Sequence, residues 1–420
     1  MALTKSRVAQ QFTLWMFLLA FYYNSYRYPF QINSTETSAV YRDTPLGLVF
    51  GKYLLAAAIM ACAVIFGAFP LSRMKVRKPI YLAVYAYLAV IPITHGLMAK
   101  DVQLVESGVF FFVPMVFHLL EKKSISCRMI NSLIRYALFI AIGVDIIQIA
   151  LFFLVGRLPA LAWPGSMSVR FGSFLDDPNG FGVLIALFAG FAIAGYSGWK
   201  RAALICALSV CLLASQSLTA LLVVPVAALL CALTFMISQP KSILRGMLIS
   251  VSAVALIAVV TYPYHQAIID LLQVIGSEKS LSIMGHARSL DVLASKGLID
   301  YLGFNPTGYT GESGYVNLAA NFGIVYVLIY LGIGLVTIFK CCRRLADSAA
   351  SPSMRAFAGA AFCFLIAAYA TTINLPLEEV FPINLLTVLI IGLVSSNAIH
   401  ADEPSSRNAA PHIDSHSIDP

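Results

Sequence analysis

The sequence predicts an all-α integral membrane protein with about twelve transmembrane helices and one large outer loop that contains short helices. Two observations lead to this fold class. Hydrophobic residues make up 59% of the 420 residues and charged residues only 11%, whereas about a quarter of a soluble domain is charged. Runs of roughly 20 apolar residues, the length that crosses a bilayer, fill most of the chain. This balance excludes a water-soluble domain.

Twelve apolar runs define the predicted spans, of which the first is weak and the seventh is short. The first run follows Lys5 and Arg7, as the apolar part of a signal peptide would. Because it lacks a cleavage site with two small residues, we expect an uncleaved first span. The runs cover about residues 11–30, 46–70, 79–99, 103–120, 133–155, 178–197, 201–216, 218–237, 243–263, 314–339, 355–375 and 378–397.

The basic residues predict the orientation of these spans. Most of the 28 Lys and Arg residues fall in alternate loops, and loops rich in these residues stay in the cytoplasm. This pattern places both termini in the cytoplasm and makes residues 156–177 and 264–313 periplasmic loops. We expect a membrane domain over residues 1–399 and a disordered cytoplasmic tail over residues 400–420. The net charge of +8 then reflects topology, so no nucleic-acid partner is expected.

The larger periplasmic loop contains a helix signal of its own. Residues 289–297 combine a capping-type start, apolar residues three to four positions apart and a final glycine, which predicts a short amphipathic helix. All eight cysteines lie in apolar runs or in loops assigned to the cytoplasm. Neither a disulfide framework nor a metal-binding cysteine pattern is therefore predicted. We expect no metal and no cofactor.

The most informative stretch covers residues 170–180, RFGSFLDDPNG, and leads directly into an apolar helix. Pro178 suits the first helical turn, and Asp177 is placed to cap it. Arg170, at the outer membrane face beside a helix N-terminus, is suited to binding an anionic phosphate group. The alternative is a purely structural one, in which an interfacial arginine reaches toward water and a helix start is capped.

The larger loop supplies a second group of polar residues, among them His286, Arg288, Glu312 and Tyr315. Glu312 and Tyr315 lie three positions apart and would share a helix face if the next helix begins here. A carboxylate in a first helical turn is also favoured by the helix dipole alone, and His286 and Arg288 could be solvated loop residues. Together, two arginines, a histidine and several carboxylates facing one compartment make a plausible phosphate site with a general base.

These motifs resemble those of bacterial Wzy-type polysaccharide polymerases and the related O-antigen ligases. The likeness covers about residues 165–335 and consists of an Arg-x-Gly and Pro-Asn-Gly run that opens a helix. A large outer loop with a second arginine follows, and then a Glu-x-x-Tyr element that enters the next helix. The loop departs from the family pattern at Gly303-Phe304-Asn305, where relatives often have Gly-x-Gly, and at His286, which precedes Arg288 in place of a plain Gly-Arg.

The resemblance implies a metal-independent glycosyltransferase at the periplasmic face of the bacterial inner membrane. It would polymerise oligosaccharide repeat units carried on undecaprenyl pyrophosphate into a surface polysaccharide. Membrane lipids and a chain-length regulator protein are further expected partners. The implied residues are Arg170 and Arg288 for pyrophosphate binding, Glu312, His286 and Asp177 for catalysis, and Asn179, Tyr315 and Asp176 for lining the substrate site.

Two other functions stay open at this point. Ligases of this group often carry a histidine just before the helix that follows the large loop, where this chain has Glu312, so the polymerase is favoured over an O-antigen ligase. A transporter or flippase is the other alternative, because Glu106, Asp145, His95 and His118 would be costly if they faced lipid. The sequence shows no duplicated halves with paired broken helices, which disfavours a transporter. For Asp145 we expect a satisfied hydrogen bond between helices rather than a catalytic role.

Overall fold

The computed structural model is predominantly helical, in agreement with the predicted fold class. It describes residues 32–33, 78–100, 102–119, 125–155, 158–159, 162–164, 169–175, 177–238, 313–373, 382–396 and 399–400, and the isolated positions 51, 54, 58, 291, 302 and 380. The helices in these regions are α1 (Pro79–Ala99), α2 (Val102–Val109), α3 (Phe112–Leu119), α4 (Cys127–Val155), α5 (Pro178–Gly195), α6 (Gly198–Ser215), α7 (Leu218–Ser238), α8 (Gly314–Phe322), α9 (Ile324–Ala346), α10 (Pro352–Thr371) and α11 (Ile383–Ser396).

Seven of these helices, α1, α4, α5, α6, α7, α9 and α10, are long and apolar enough to cross a membrane. The shorter helix α11 is also apolar. The predicted spans at 11–30, 46–70 and 243–263 lie outside the described residues, apart from isolated positions. The same holds for the amphipathic helix at 289–297 and the tail beyond residue 400. The count of twelve spans therefore stays a prediction.

Two predicted spans are interrupted. The run at 103–120 forms α2 and α3. In the turns between them, the Phe111 N–H donates to the Gly108 carbonyl and the Val113 N–H donates to the Phe110 carbonyl, both at 3.0 Å. Pro114 explains the break, because it has no N–H for the helical bond to the Phe110 carbonyl. The run at 314–339 forms α8 and α9, separated by Gly323 at φ 87° and ψ 162°, a backbone conformation that is essentially restricted to glycine.

Helices α5 and α10 form the centre of the bundle. In their most apolar segments 89% and 83% of the residues are buried, whereas the other five spans bury between 22% and 39%. The two helices pack through Gly190 and Gly359. A Cβ atom built on Gly190 would lie 2.1 Å from the Gly359 carbonyl oxygen. Small residues permit this approach of two backbones, which is a common basis for helix association in membranes.

The contacts divide the helix termini between two ends of the bundle. At one end, which we call the Ser353 end, the Asn131 side chain donates to the Ser353 carbonyl at 2.7 Å. At the other, the Arg170 end, the Tyr315 hydroxyl donates to the Tyr369 carbonyl at 2.6 Å. The basic residues that the structure describes fall mainly at the Ser353 end. They are Lys78, Arg128, Arg135, Lys200, Arg201, Lys340, Arg343, Arg344 and Arg355, against Lys100 and Arg170 at the other end.

Three short strand pairs accompany the helices, a feature that the sequence did not predict. They are the antiparallel pairs β1 (Ile32–Asn33) with β3 (Leu158–Pro159) and β4 (Ala162–Pro164) with β5 (Val169–Phe171), and the parallel pair β2 (Ile125–Ser126) with β6 (Ile399–His400). His400, placed at the start of the disordered tail, thus pairs with Ser126. The pair β4 and β5 carries Arg170, one of the predicted site residues.

Candidate functional site

Arg170 lies on β5 and is directly followed by a tight turn. In the antiparallel pair, Arg170 faces Trp163 of β4. The Leu175 N–H then bonds to the Gly172 carbonyl at 3.0 Å. A Cβ atom on Gly172 would lie 2.8 Å from the Leu175 carbonyl oxygen, so a side chain at this position would force the turn open. The glycine of the Arg-x-Gly motif therefore allows the chain to reverse direction between Arg170 and α5.

The start of α5 follows the prediction from the sequence. Asp177 is the N-cap residue and Pro178 the first residue of the helix. The Asp177 carboxylate accepts a hydrogen bond from the Asn179 N–H at 2.8 Å. This contact corrects one part of the phosphate hypothesis, because the carboxylate already occupies the helix N-terminus. An anion at this site would have to bind mainly to Arg170.

Arg170 joins three parts of the chain. Its Nε donates to the Ser215 carbonyl at 3.2 Å, and its Nη2 donates to Oδ1 of Asn179 at 3.1 Å. The same Oδ1 accepts a hydrogen bond from the Ser217 hydroxyl at 2.7 Å. The guanidinium is therefore held by the end of α6 and the first turn of α5, and Ser217 in the turn to α7 holds Asn179 in place. Its third nitrogen, Nη1, has no hydrogen-bond partner among the described residues.

Asn179 separates the two charges of the site. Its amide oxygen faces the cation, since it accepts from Arg170, and its amide group also lies against the Asp177 carboxylate. An amide suits this position because it presents an acceptor to the guanidinium and donors to the carboxylate. Asn179, predicted to line the substrate, is thus placed as a spacer between Arg170 and Asp177.

Burial and the neighbouring charge shift the pKa of Arg170 in opposite directions, and the same holds for the pKa of Asp177. Burial lowers the pKa of Arg170 and the nearby Asp177 charge raises it, with burial the larger effect. Burial raises the pKa of Asp177, while its hydrogen bond from the Asn179 backbone and the Arg170 charge lower it. Because a guanidinium stays protonated in proteins, the site keeps a fixed cation that is partly desolvated.

The structure places Tyr315 at the same end of the bundle but gives it a structural contact. Its hydroxyl donates to the Tyr369 carbonyl in the last turn of α10. This bond attaches the first turn of α8 to α10. The role of Tyr315 in lining a substrate site stays a prediction. His286, Arg288, Glu312 and Asp176, four of the predicted site residues, lie outside the described residues.

Asp145 is fully buried in α4, beside Cys211 of α6 and the backbone of Ser173. Among the described residues, neither carboxylate oxygen has a hydrogen bond of good geometry, and a thiol is at best a weak donor. The Cys211 thiol of α6 is thus the one neighbour from another helix that lies beside this carboxylate in the described part, and the satisfied bond between helices stays a prediction. The side chain of the other acid in the transporter alternative, Glu106, lies outside the described part.

Ser215 and Ser217 belong to the site but were not predicted. They flank Gln216, which adopts a left-handed conformation at φ 47° after the end of α6. The sequence did contain a signal, because Ser-Gln-Ser is a short polar interruption between two apolar runs. A polar tripeptide at a helix turn is nevertheless common, so its contact with Arg170 could not be read from the sequence.

No family model and no curated protein matches this chain.

Proposed function

We propose that this protein is a membrane glycosyltransferase that polymerises undecaprenyl-pyrophosphate-linked oligosaccharide repeat units into a surface polysaccharide. The observation that carries the proposal is Arg170. It is a half-buried guanidinium, held by the Ser215 carbonyl and the Asn179 amide, with Nη1 left without a partner in the described chain. A fixed, partly desolvated cation of this kind is suited to a phosphate oxygen.

The charge distribution supports a reaction site at the periplasmic face of the bacterial inner membrane. The described basic residues lie mainly at the Ser353 end, and basic residues mark the cytoplasmic side. The Arg170 end then faces the periplasm. Lipid-linked repeat units would reach the site laterally from the surrounding membrane lipids.

In the proposed reaction, a hydroxyl oxygen of the acceptor sugar attacks the anomeric carbon of the donor. The bond from this carbon to the pyrophosphate oxygen breaks, and undecaprenyl pyrophosphate leaves with the electron pair. Arg170 stabilises the negative charge that grows on the leaving oxygen, as donors preorganised for a transition state do. Arg288 is proposed as a second pyrophosphate ligand. The proton of the acceptor hydroxyl passes to Glu312 or His286, the two proposed bases, while the Asp177 carboxylate is engaged in capping α5.

The test is polymerisation by the purified protein in liposomes that contain lipid-linked repeat units. Wild type should give a ladder of products on a gel. Arg170→Ala should be about 30- to 1,000-fold slower, since losing one charge-assisted contact in such a site costs about 2–4 kcal/mol of transition-state stabilisation. Arg170→Lys should recover part of this loss, because an ammonium lacks the planar fork of a guanidinium.

Lys100 provides the matched control. It is exposed at the same end of the bundle, in a left-handed conformation at φ 56°, which asparagine tolerates. Lys100→Asn therefore removes a charge without the Arg170 contacts and should polymerise normally. If Lys100→Asn and Arg170→Ala lost the same fraction of the polymerisation rate, the effect would be due to the net charge at this end of the bundle and not to the contacts of Arg170. Product that forms only when lipid A core is added would indicate a ligase, and movement of lipid-linked repeats without any glycosidic product a flippase.

A further inference from the structure

We infer that a cluster of basic and aromatic residues at the Ser353 end binds the phosphate headgroup of an anionic membrane lipid. This site is separate from the Arg170 site, and its test does not use the proposed reaction. The cluster, which we call the Lys340 cluster, draws on four helices. Its residues are Lys78 and Tyr81 at the start of α1, His118 of α3, Lys340 of α9 and Ser395 of α11.

The aromatic ring of Tyr81 brings two ammonium groups together. The Nζ atoms of Lys78 and Lys340 lie 5.4 and 5.0 Å from the centre of this ring. The two charges are therefore no more than about 10 Å apart, close to the Debye length at moderate ionic strength, so they repel each other. His118 stacks on the same ring at 4.8 Å between centroids, and both lysine charges act on it as well. Positive charge is thus concentrated where the four helices meet.

Lys340 is held in place by the protein. Its Nζ donates to the Tyr81 hydroxyl and to the Ser395 carbonyl, both at 3.2 Å. The Ser395 hydroxyl is fully buried and lies 2.8 Å from Nε2 of His118. An ammonium group has three N–H donors, and both of these acceptors are neutral. The contacts therefore fix the position of the ammonium group but leave its charge uncompensated.

The chain around the cluster supplies little negative charge. In the part of the chain that the structure describes, no carboxylate lies within 4.0 Å of the Lys78 or Lys340 ammonium group. The segments that adjoin the cluster, 71–78, 120–128 and 340–347, contain ten Lys and Arg residues but only two acidic residues. An anion from outside the chain is therefore the natural partner of the two lysines.

The alternative is that these lysines only orient the protein, as basic residues at the cytoplasmic ends of spans do. A lysine with that role alone extends toward water. Lys200, which is exposed in the first turn of α6 at the same end of the bundle, fits this pattern. Lys340 does not, because it is drawn back onto Tyr81 and Ser395, and Lys78 shares the same ring.

The neighbours of the cluster favour a lipid over a soluble anion. Ile80 and Phe339, next in sequence to Tyr81 and Lys340, are 71% and 62% exposed. On membrane-spanning helices such apolar side chains contact acyl chains, which are as apolar as they are. A lipid could thus place its phosphate at Lys340 and its acyl chains beside Phe339. Basic pockets between helices on the cytoplasmic side, where this end lies in the proposed orientation, suit anionic headgroups.

The test is lipid binding to the purified full-length chain in detergent, measured by native mass spectrometry. Phosphatidylglycerol, which has a net negative charge, should bind more tightly than phosphatidylcholine, whose choline group offsets the phosphate charge. Lys78→Gln and Lys340→Gln should each weaken phosphatidylglycerol binding about fivefold, the usual contribution of one basic residue near an anionic lipid surface. Lys340→Arg should retain binding. Lys200→Gln, the matched control, removes the same charge from the same end and should bind like wild type.

Three results would overturn the inference. They are equal binding of the two lipids by wild type, an equal loss in Lys200→Gln and Lys340→Gln, and displacement of phosphatidylglycerol by equimolar inorganic phosphate, which would indicate a site for a free anion. Should Lys340→Gln be poorly folded, wild type can be crosslinked to a photoactivatable phosphatidylglycerol. Crosslinks must then map to α1 or α9 near Lys78 and Lys340, and crosslinks found only elsewhere would refute the site.

Discussion

Alanine at Gly190 should destabilise the protein strongly, because no space exists for a methyl group between α5 and α10. The new Cβ atom would lie 2.1 Å from the Gly359 carbonyl oxygen and 2.9 Å from the Cys363 sulfur, whereas ordinary contacts begin at 3.4 Å. The nearest obstacle is backbone and cannot rotate away. The two helices would have to separate locally by about 1.3 Å, the difference between 3.4 and 2.1 Å.

The expected cost follows from this displacement. A gap of about 1 Å already removes up to half of the dispersion energy of the contacts that line it. Overpacking in well-packed interiors typically costs about 1–3 kcal/mol, and we expect about 3 kcal/mol here because α5 and α10 are the two most buried spans. The displacement should also reach the site, since the same helix holds Asn179 against Arg170.

Gly332 supplies the control. It lies on the exposed side of α9 and a Cβ atom there would meet nothing within 4 Å. Gly332→Ala should therefore change stability by less than about 1 kcal/mol, the limit set by helix propensity. Unfolding of both variants would be followed by titration with sodium dodecyl sulfate in mixed micelles. If the two variants unfold at the same detergent fraction, the close packing of α5 on α10 is not what stabilises the bundle.

Three further predictions concern charge and topology. Because burial raises the pKa of Asp177, its contribution to stability is complete below its ordinary pKa of about 4 and declines as pH rises through the raised value. Asp177→Asn keeps a good cap and should abolish this decline. If the stability of wild type and of Asp177→Asn changed with pH in the same way, the prediction would be contradicted. In a cysteine-free background, an impermeant thiol reagent should label Lys100→Cys in intact cells and Asp347→Cys only after permeabilisation. The reverse labelling pattern would show that the protein has the opposite orientation in the membrane. Polymerisation should survive EDTA, and activity lost with EDTA and restored by magnesium would disprove the metal-independent mechanism.

Local sequence signals predicted the start of α5 well. Asp177 caps the helix and Pro178 opens it, because capping and the fixed φ of proline are properties of a few adjacent residues. Breaks inside apolar runs were missed, although Pro114 and Gly323 mark them. Both residues are tolerated inside many membrane helices, so neither could be taken as a break from the sequence alone.

Burial could not be predicted from hydrophobicity. Helices α4 and α7 are the most hydropathic spans and yet are largely exposed, whereas α5 and α10 are less hydropathic and almost fully buried. Lipid tails are as apolar as a protein interior, so hydrophobic residues do not distinguish the two environments. The informative residues are the small ones, such as Gly190 and Gly359, which mark where backbones meet.

The partners of Arg170 also lay beyond the reach of sequence reasoning. Ser215, whose carbonyl accepts from Arg170, and Ser217, which bonds to Asn179, are far from Arg170 along the chain. Only the packing of α5, α6 and α7 brings these residues together. The sequence indicated that an arginine stands beside a capped helix. It could not indicate that the cap carboxylate already occupies the helix N-terminus.

The charged and polar groups of the Arg170 site lie at helix ends, which supports the proposed reaction at one face of the membrane over transport across it. A transport path needs polar groups along the bilayer midplane, but the described centre is the direct contact of Gly190 with Gly359, flanked by thiols. Asp145 is the acid that the described spans bury most completely, and it lies under the turn at Ser173 rather than between α5 and α10. Arg170, Asp177 and Asn179 instead meet where helices end, beside the outer solvent in the proposed orientation. Helix ends can hold a cation and a carboxylate at low cost because their unpaired backbone groups provide hydrogen-bond partners, as the Ser215 carbonyl does for Arg170.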